Sequence, residues 1–410
     1  MERGTRNRRS RPWVAPALAV LAPLLCPAAE AEWLIMHKQA TIPAKSIELM
    51  PNGQIVKAVS IGGRTNTLRL ASIAAIMKYA TEGERKMPTG TGAYFVELLS
   101  GERMRVDNFT FDGSRLSADH FFLGRLTWPG RKLKRLVRAD EVMIPEQSGF
   151  LGIRFRNGDT TQGRLLSIGR GAAMVNMPDI GKIPVGDLDT VTAFVFASRR
   201  AGRRKFYFTD EMNIEIMLKN NEVIAGRLTG VKGKAWVVKP EWREAPVEIP
   251  FAFIRAAAVH GTSVYLPDVT PAERKSEPYL KFVIPWKRDR SLSGRSLQVG
   301  TLSAHRGLAT HSRTVLTYDL EGLTKTPLSF MTVVGMDSEV SGLDGSADVR
   351  IELDGKVVLK KRFTAATPPT PVRLSIPAGA GKMTIATDFG PNGSIADHVD
   401  WLYAAFVKAK

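Results

Sequence analysis

Cysteine is almost absent: the 410 residues contain one, Cys26. It lies in an N-terminal stretch that reads as a removed segment, so the mature protein is expected to have no thiol, no disulfide and no cysteine-based metal site. Histidine is also scarce, with six in all, and His37, His120 and His260 stand isolated from any metal-motif spacing. A membrane-spanning run is missing too. The stretch from Trp13 to Leu25 is about thirteen residues, against the roughly twenty of a spanning helix, and Pro16 and Pro23 interrupt it. Residues 32–265 have neither the alternating strand-helix pattern of a barrel enzyme nor the distinctive acid pair that glycoside hydrolysis uses. The chain is therefore expected not to be an enzyme.

What the N-terminus does contain is Arg3, Arg6, Arg8, Arg9 and Arg11, then the apolar run, then Ala29-Glu30-Ala31. Basic, apolar and small residues in that order describe a secretory signal peptide over residues 1–31. The expected location is periplasmic, cell-surface or secreted. Lys and Arg total 58 against 40 acids, a formal charge of +18. Without residues 1–31, which hold the five arginines against Glu2 and Glu30, +15 is left. Such a charge favours acidic neighbours, an acidic glycan among them, while the plainer reading is a solvated surface. The densest clusters, Arg131, Lys132, Lys134, Arg135, Arg138 and Arg199, Arg200, Arg203, Arg204, Lys205, fall in or near apparent linkers. No specific nucleic-acid partner is indicated.

From about Ile35 to His260 one shape recurs: strand, tight polar turn, a second strand opening near a Gly, and a later Ile-Pro. One copy reads Gly152 to Phe155, Asn157-Gly158-Asp159, Gly163-Arg164-Leu165, Ile183-Pro184; the next reads Glu215 to Leu218, Asn220-Asn221-Glu222, Gly226-Arg227-Leu228, Ile249-Pro250. Weaker copies stand at Met50-Pro51-Asn52-Gly53 and Leu99-Ser100-Gly101-Glu102. Asn and Gly accept the positive φ of hairpin turns. Hairpins alone are marginal, so the units should pair or close into small barrels. The expected organisation is a β-rich region over 32–146, two β-repeat units over 147–265, and a linker over 266–278, where Pro267, Pro271 and Pro278 accompany mixed charge. Asp159 and Glu222 sit at turn tips, where an acid usually bonds its own backbone. Trp236 and Trp242 could stack on a ligand, but strand aromatics more often pack in a core.

Residues 279–410 then give many short alternating strands separated by turns such as Asp354-Gly355 and Pro391-Asn392-Gly393. That pattern is a β-sandwich, so the fold class is all-β: tandem hairpin or barrel-like units followed by a sandwich. Its landmarks are Pro285-Trp286-Lys287-Arg288-Asp289, Arg306-Gly307-Leu308-Ala309-Thr310-His311-Ser312, Leu316-Thr317-Tyr318-Asp319, Val334-Gly335-Met336-Asp337, Val349 to Lys356, Thr387-Asp388-Phe389-Gly390 and Asp397-His398-Val399-Asp400-Trp401. In this order they resemble the NPCBM module, the carbohydrate-binding domain found beside family 98 glycoside hydrolases and grouped with carbohydrate-binding module family 51. The chain departs from the usual pattern at Ala309, where the family has Gly. The resemblance implies a jelly-roll sandwich that binds sugar through loops at one end.

A sugar site needs an aromatic face and planar polar groups that bond hydroxyls. Trp401 is the candidate platform, or else a core residue. His311, His398, Asp397, Asp400, Arg306 and Asp337 are candidate hydroxyl readers, although Asp397 or Asp400 could instead cap a turn and the histidines could be structural. Calcium held by Asp337, Glu339 or Asp344 is chemically sensible, since hard oxygen ligands cluster there. The expected function is an exported, non-catalytic carbohydrate-binding protein. The alternative is a cell-envelope assembly protein whose β units bind other proteins.

Overall fold

The structure, a computed structural model, describes residues 31–81, 93–140, 150–169, 171–196, 208, 212–277 and 283–408. Residues 1–30 with Cys26, the cluster Arg199 to Lys205, and residues 279–282 of the expected first sandwich strand lie outside the described residues. Among the described residues every regular element is a strand or a short 3-10 turn.

Residues 31–260 form four units of one design, whose first strands are Trp33–His37, Tyr94–Leu98, Gly152–Phe155 and Asn213–Leu218. Each unit ends with a 3-10 turn and a strand that returns beside the first. Ile76 pairs Ile35, Val137 pairs Phe95, Phe194 pairs Ile153, and Ala257 pairs Ile216. Closing first strand on last removes the open edge that isolated hairpins would expose. The units then join in pairs. The last strand of the first unit pairs that of the fourth, Ile76 with Ala257, and the last strands of the second and third pair through Leu136 and Phe194.

Two motif alignments shift. Pro51-Asn52-Gly53 turns the second hairpin of its unit, not the first, because it follows the long strand Ala40–Leu49. Ile183-Pro184 lies inside the strand Gly181–Gly186, whereas Ile249-Pro250 leads into the 3-10 turn Phe251–Phe253. Arg135 and Arg138 belong to the strand Leu133–Arg138 and not to a linker.

The sandwich has two sheets. One orders Lys287–Arg288, Gly307–Thr310, Val399–Lys408, Leu328–Met336 and Thr370–Ile376; the other orders Glu273–Ser276, Thr314–Asp319, Lys382–Phe389, Ser346–Leu353 and Lys356–Thr364. The expected linker 266–278 is corrected here. Ser263–Tyr265 pairs with the closing strand, Leu266 and Pro267 are buried, and Glu273–Ser276 is an edge strand paired to Thr314–Asp319. Pro271 and Pro267 flank these pairings without having to donate to them, which is how a proline-rich stretch can still be built into a sheet.

The closing strand Val399–Lys408 is buried on both faces. Val399, Trp401, Ala404 and Phe406 enter the sandwich core, while Leu402, Tyr403, Ala405 and Val407 meet Leu34, Met36, Ala75, Ala256 and Ala258 of the barrel units. Alanines on the barrel side permit close sheet-to-sheet approach. The two halves thus share an apolar core, and the linker expected between them does not exist.

Candidate functional site

Three of the seven predicted residues converge at one end of the sandwich. His311 follows the strand Gly307–Thr310, while Asp397 and His398 precede the closing strand that pairs with it. The two imidazoles meet edge to face with centroids 5.6 Å apart, and His311 Nδ1 is 3.1 Å from the Ser312 hydroxyl. Burial, followed by the neighbouring His398, lowers the His311 pKa; burial likewise lowers that of His398. Both rings are neutral at pH 7, each with one donor and one acceptor nitrogen. His398 Nδ1 is buried and has no hydrogen-bond partner.

Asp397 is fully buried, and neither carboxyl oxygen makes a hydrogen bond of ordinary geometry. Burial pushes its pKa up to about 7; Ser312 and Ser346 pull weakly the other way, and Asp388 adds to the rise. A carboxyl poised between its two forms can donate or accept, as sugar hydroxyls do. On the second sheet the half-buried Phe389 ring carries the Arg313 guanidinium at 5.1 Å over a groove of about 270 Å³ that Asp388, Asp348 and Lys360 also line and that none of His311, Asp397 and His398 enters. Two aliphatic side chains stand out at the loops of the same end, Leu343 at 54% and Ile395 at 66% exposure. Asn392 ties those loops together through its bond to the Asp344 carbonyl.

Trp401 is a correction. Its ring is 0% exposed, packed in the sandwich core, and its Nε1 donates to Thr310 Oγ1 at 3.0 Å. It fixes the base of the His311 loop but has no free face for a sugar. Phe389 is the partly exposed ring that sequence reasoning passed over; it stood in a quoted landmark, Asp388-Phe389-Gly390, and was not assigned a role.

Asp337 and Asp400 form a separate buried pair beneath the hairpin Leu297–Ala304. Asp400 Oδ2 accepts from the Gln298 amide at 2.8 Å and Asp337 Oδ1 from the Glu339 amide at 2.9 Å, leaving one oxygen of each unpaired. Burial, then Glu339, raises Asp337 to about 6, and burial with Asp337 raises Asp400 well above the carboxylate range. Buried like charges in contact retain a proton, so this pair is structural in character and cannot reach solvent as hydroxyl readers. Among the described residues no three His, Cys, Asp or Glu groups gather in a way that would hold a metal ion; Asp337, Glu339 and Asp344 do not form the expected calcium set.

Arg306 lies at the opposite end of Gly307–Thr310 from His311. It bonds Asp268, bonds Asp289 at 3.0 Å, and comes within 3.5 Å of Glu215 in the fourth barrel unit. Glu215 also meets His260 at 3.0 Å and His305 at 3.2 Å. Arg306 is therefore a joint residue, holding barrel to sandwich.

Ala309, the departure from the usual Gly, sits fully buried in a regular strand against the shared core, where a methyl group fits. Gly307 is the position that demands glycine: φ is +148° and a Cβ there would lie 2.2 Å from the Trp401 carbonyl oxygen.

No curated protein matches this chain. A carbohydrate-binding module, CBM51 from Clostridium perfringens GH95 in complex with methyl-galactose, is 26% identical, covering 36% of this chain and 100% of its own at a TM-score of 0.33. CBM51-2 in complex with GlcNAc and INT domains from Clostridium perfringens ZmpB is 18% identical over 46% of this chain and 44% of its own, at 0.31. The tandem CBM51 modules of a family 98 glycoside hydrolase from Streptococcus pneumoniae are 13% identical over 63% and 88%, at 0.32. The NPCBM/NEW2 family model matches residues 262–407, beginning where the strand Ser263–Tyr265 joins the sandwich. The C-terminal part of this chain is an NPCBM/NEW2 domain.

Proposed function

We propose that the chain is an exported, non-catalytic carbohydrate-binding protein whose sandwich takes a sugar at the His311, Asp397 and His398 end. The observation that carries the reading is the pairing of the His311 and His398 imidazoles at the loop end, with unmet hydrogen-bonding capacity on His398 Nδ1 and on the buried Asp397 carboxyl behind them. Hydroxyl groups satisfy such a set because each both donates and accepts. The order of residues in 1–31 supports export. The barrel units serve as a rigid mount, since their alanine face is buried against the sandwich.

The test uses the whole mature chain, because the shared core would be exposed in an isolated sandwich. A glycan array followed by calorimetry compares wild type with His311→Ala and Asp397→Asn, with folding checked by circular dichroism. Saturable binding by wild type, weakened about tenfold or more in both folded variants as expected for a lost hydrogen bond in a desolvated site, supports the reading. Binding that is absent, or equal in all three, refutes it.

A further inference from the structure

A second cavity of about 300 Å³ lies where the second barrel unit meets the sandwich, lined by Glu97, Arg103 and Lys134 from the barrel side and by Arg288, Arg290 and Arg295 from the sandwich side, among others. Its floor is unbalanced in charge. Glu97 receives Arg135 in a bidentate pair at 2.6 and 3.1 Å, and also receives Arg290 at 3.0 Å. Arg103 reaches it only at 3.7 Å, too far for a hydrogen bond. Three guanidinium groups therefore surround one carboxylate. The other acids on the wall are engaged: Glu215 by His260, His305 and Arg306, and Asp289 by Arg306.

Arg103 is the group this arrangement leaves short. Its Nε is buried without a hydrogen-bond partner, and its guanidinium carbon lies 3.8 Å from the centre of the Phe95 ring. Stacking fixes the plane of the fork and leaves its edge to a planar acceptor. Burial and the neighbouring Arg290 and Arg135 lower its pKa to about 10, with Glu97 and, more weakly, Glu222 opposing. Arg103 is thus a largely buried cation held only by a 3.7 Å ion pair to a carboxylate it shares with Arg135 and Arg290, and a further anion would complete its hydrogen bonding. Gly101, on the rim, has φ of +102° and open space where a Cβ would be.

We propose that this cleft binds the carboxylate or sulfate oxyanion of an acidic saccharide, with Arg103 as its principal ligand. The choice of a saccharide as carrier rests on the function proposed for the sandwich; the choice of an oxyanion rests on the cleft alone. A planar carboxylate matches the guanidinium fork in two parallel bonds.

The experiment is calorimetry of the whole mature chain with a galacturonate trisaccharide, with inorganic sulfate as a separate arm, on wild type, Arg103→Met, Arg103→Lys and His311→Ala. Arg103→Met keeps the stem over Phe95 and removes the most weakly held of the three cations around Glu97, which retains Arg135 and Arg290, so its melting temperature should equal or exceed that of wild type. The expected result is uronate binding that weakens about tenfold or more in Arg103→Met, recovers in part in Arg103→Lys, falls as salt rises, and is unaltered in His311→Ala. Equal affinity in wild type and Arg103→Met overturns the proposal, as does a wild type that binds no uronate. Sulfate binding without uronate binding overturns the saccharide as carrier. Loss in His311→Ala but not in Arg103→Met places the acid sugar at the loop end and overturns the cleft, while leaving the loop-end reading intact.

Discussion

Glu102→Gln should stabilise the protein at pH 8 and have little effect at pH 4. Glu102 immediately precedes the second strand of the second barrel unit, Arg103–Phe111, and is buried against the fourth: Trp242 Nε1 donates to it at 2.7 Å, the Ala225 amide at 3.1 Å and the Ser100 hydroxyl at 2.8 Å. Burial outweighs these three donors and moves its pKa from 4.5 to about 7. A carboxyl that holds its proton more tightly folded than unfolded gives full stability below pH 4.5 and loses it as pH climbs to about 7. At about 1.36 kcal/mol per pH unit, the loss is about 3 kcal/mol. Glutamine does not titrate, yet keeps an oxygen for Trp242 and Ala225. Urea unfolding followed by tryptophan fluorescence, with Trp242 as a local reporter, should therefore show the variant gaining about 3 kcal/mol over wild type between pH 4 and pH 8. A difference that stays constant across that range would mean that the carboxylate is ionised in the fold, its three donors outweighing burial.

Glu222 makes the mirrored contact, accepting the Arg105 amide at 2.8 Å and meeting His120 Nε2 at 3.1 Å in the second unit; Glu222→Ala should cost about 3 kcal/mol by stranding both groups, measured by the same unfolding curves. Trp401→Ala should cost about 4 kcal/mol as a core cavity, whereas Trp401→Phe should fold and, having lost only the Nε1 bond to Thr310, weaken sugar binding less than His311→Ala does. A larger loss in a folded Trp401→Phe than in His311→Ala would restore the ring to the site. Gly307→Ala should lower stability by about 2 kcal/mol or more, because backbone, not a movable side chain, occupies the space its Cβ needs; an unchanged melting temperature would contradict the local backbone path.

Local chemistry made much of this legible. Asn157-Gly158, Asn220-Asn221 and Asp354-Gly355 turn where turn chemistry places them, with Asn221 at φ +66°, and the sandwich strands follow their alternation closely. The site was only partly legible, because alternation identifies a buried face only when the other face is wet. Val399–Lys408 has no wet face, so Trp401 and Asp400 carried no mark of which side they took. Glu222 looked like a turn acid because its partners, Arg105 and His120, lie more than a hundred residues away. Arg306 stood five residues from His311 in one landmark, but the strand Gly307–Thr310 runs between them and carries them to opposite ends. Proline marked 266–278 as a linker, and only the pairing of Glu273–Ser276 with Thr314–Asp319 reveals an edge strand within it.

The doubly buried strand Val399–Lys408 also imposes an order of events. During synthesis the barrel units can close as soon as their own strands exist, since each pairs first with last. Their alanine face, Ala74, Ala75, Ala256 and Ala258, is covered in part by the hairpin Leu297–Ala304 but must nevertheless wait incompletely covered until residues 399–408 arrive, because those residues complete both cores together. A ribosome stalled a few dozen codons earlier would hold a chain with four finished units and one sticky sheet, the species most in need of a chaperone.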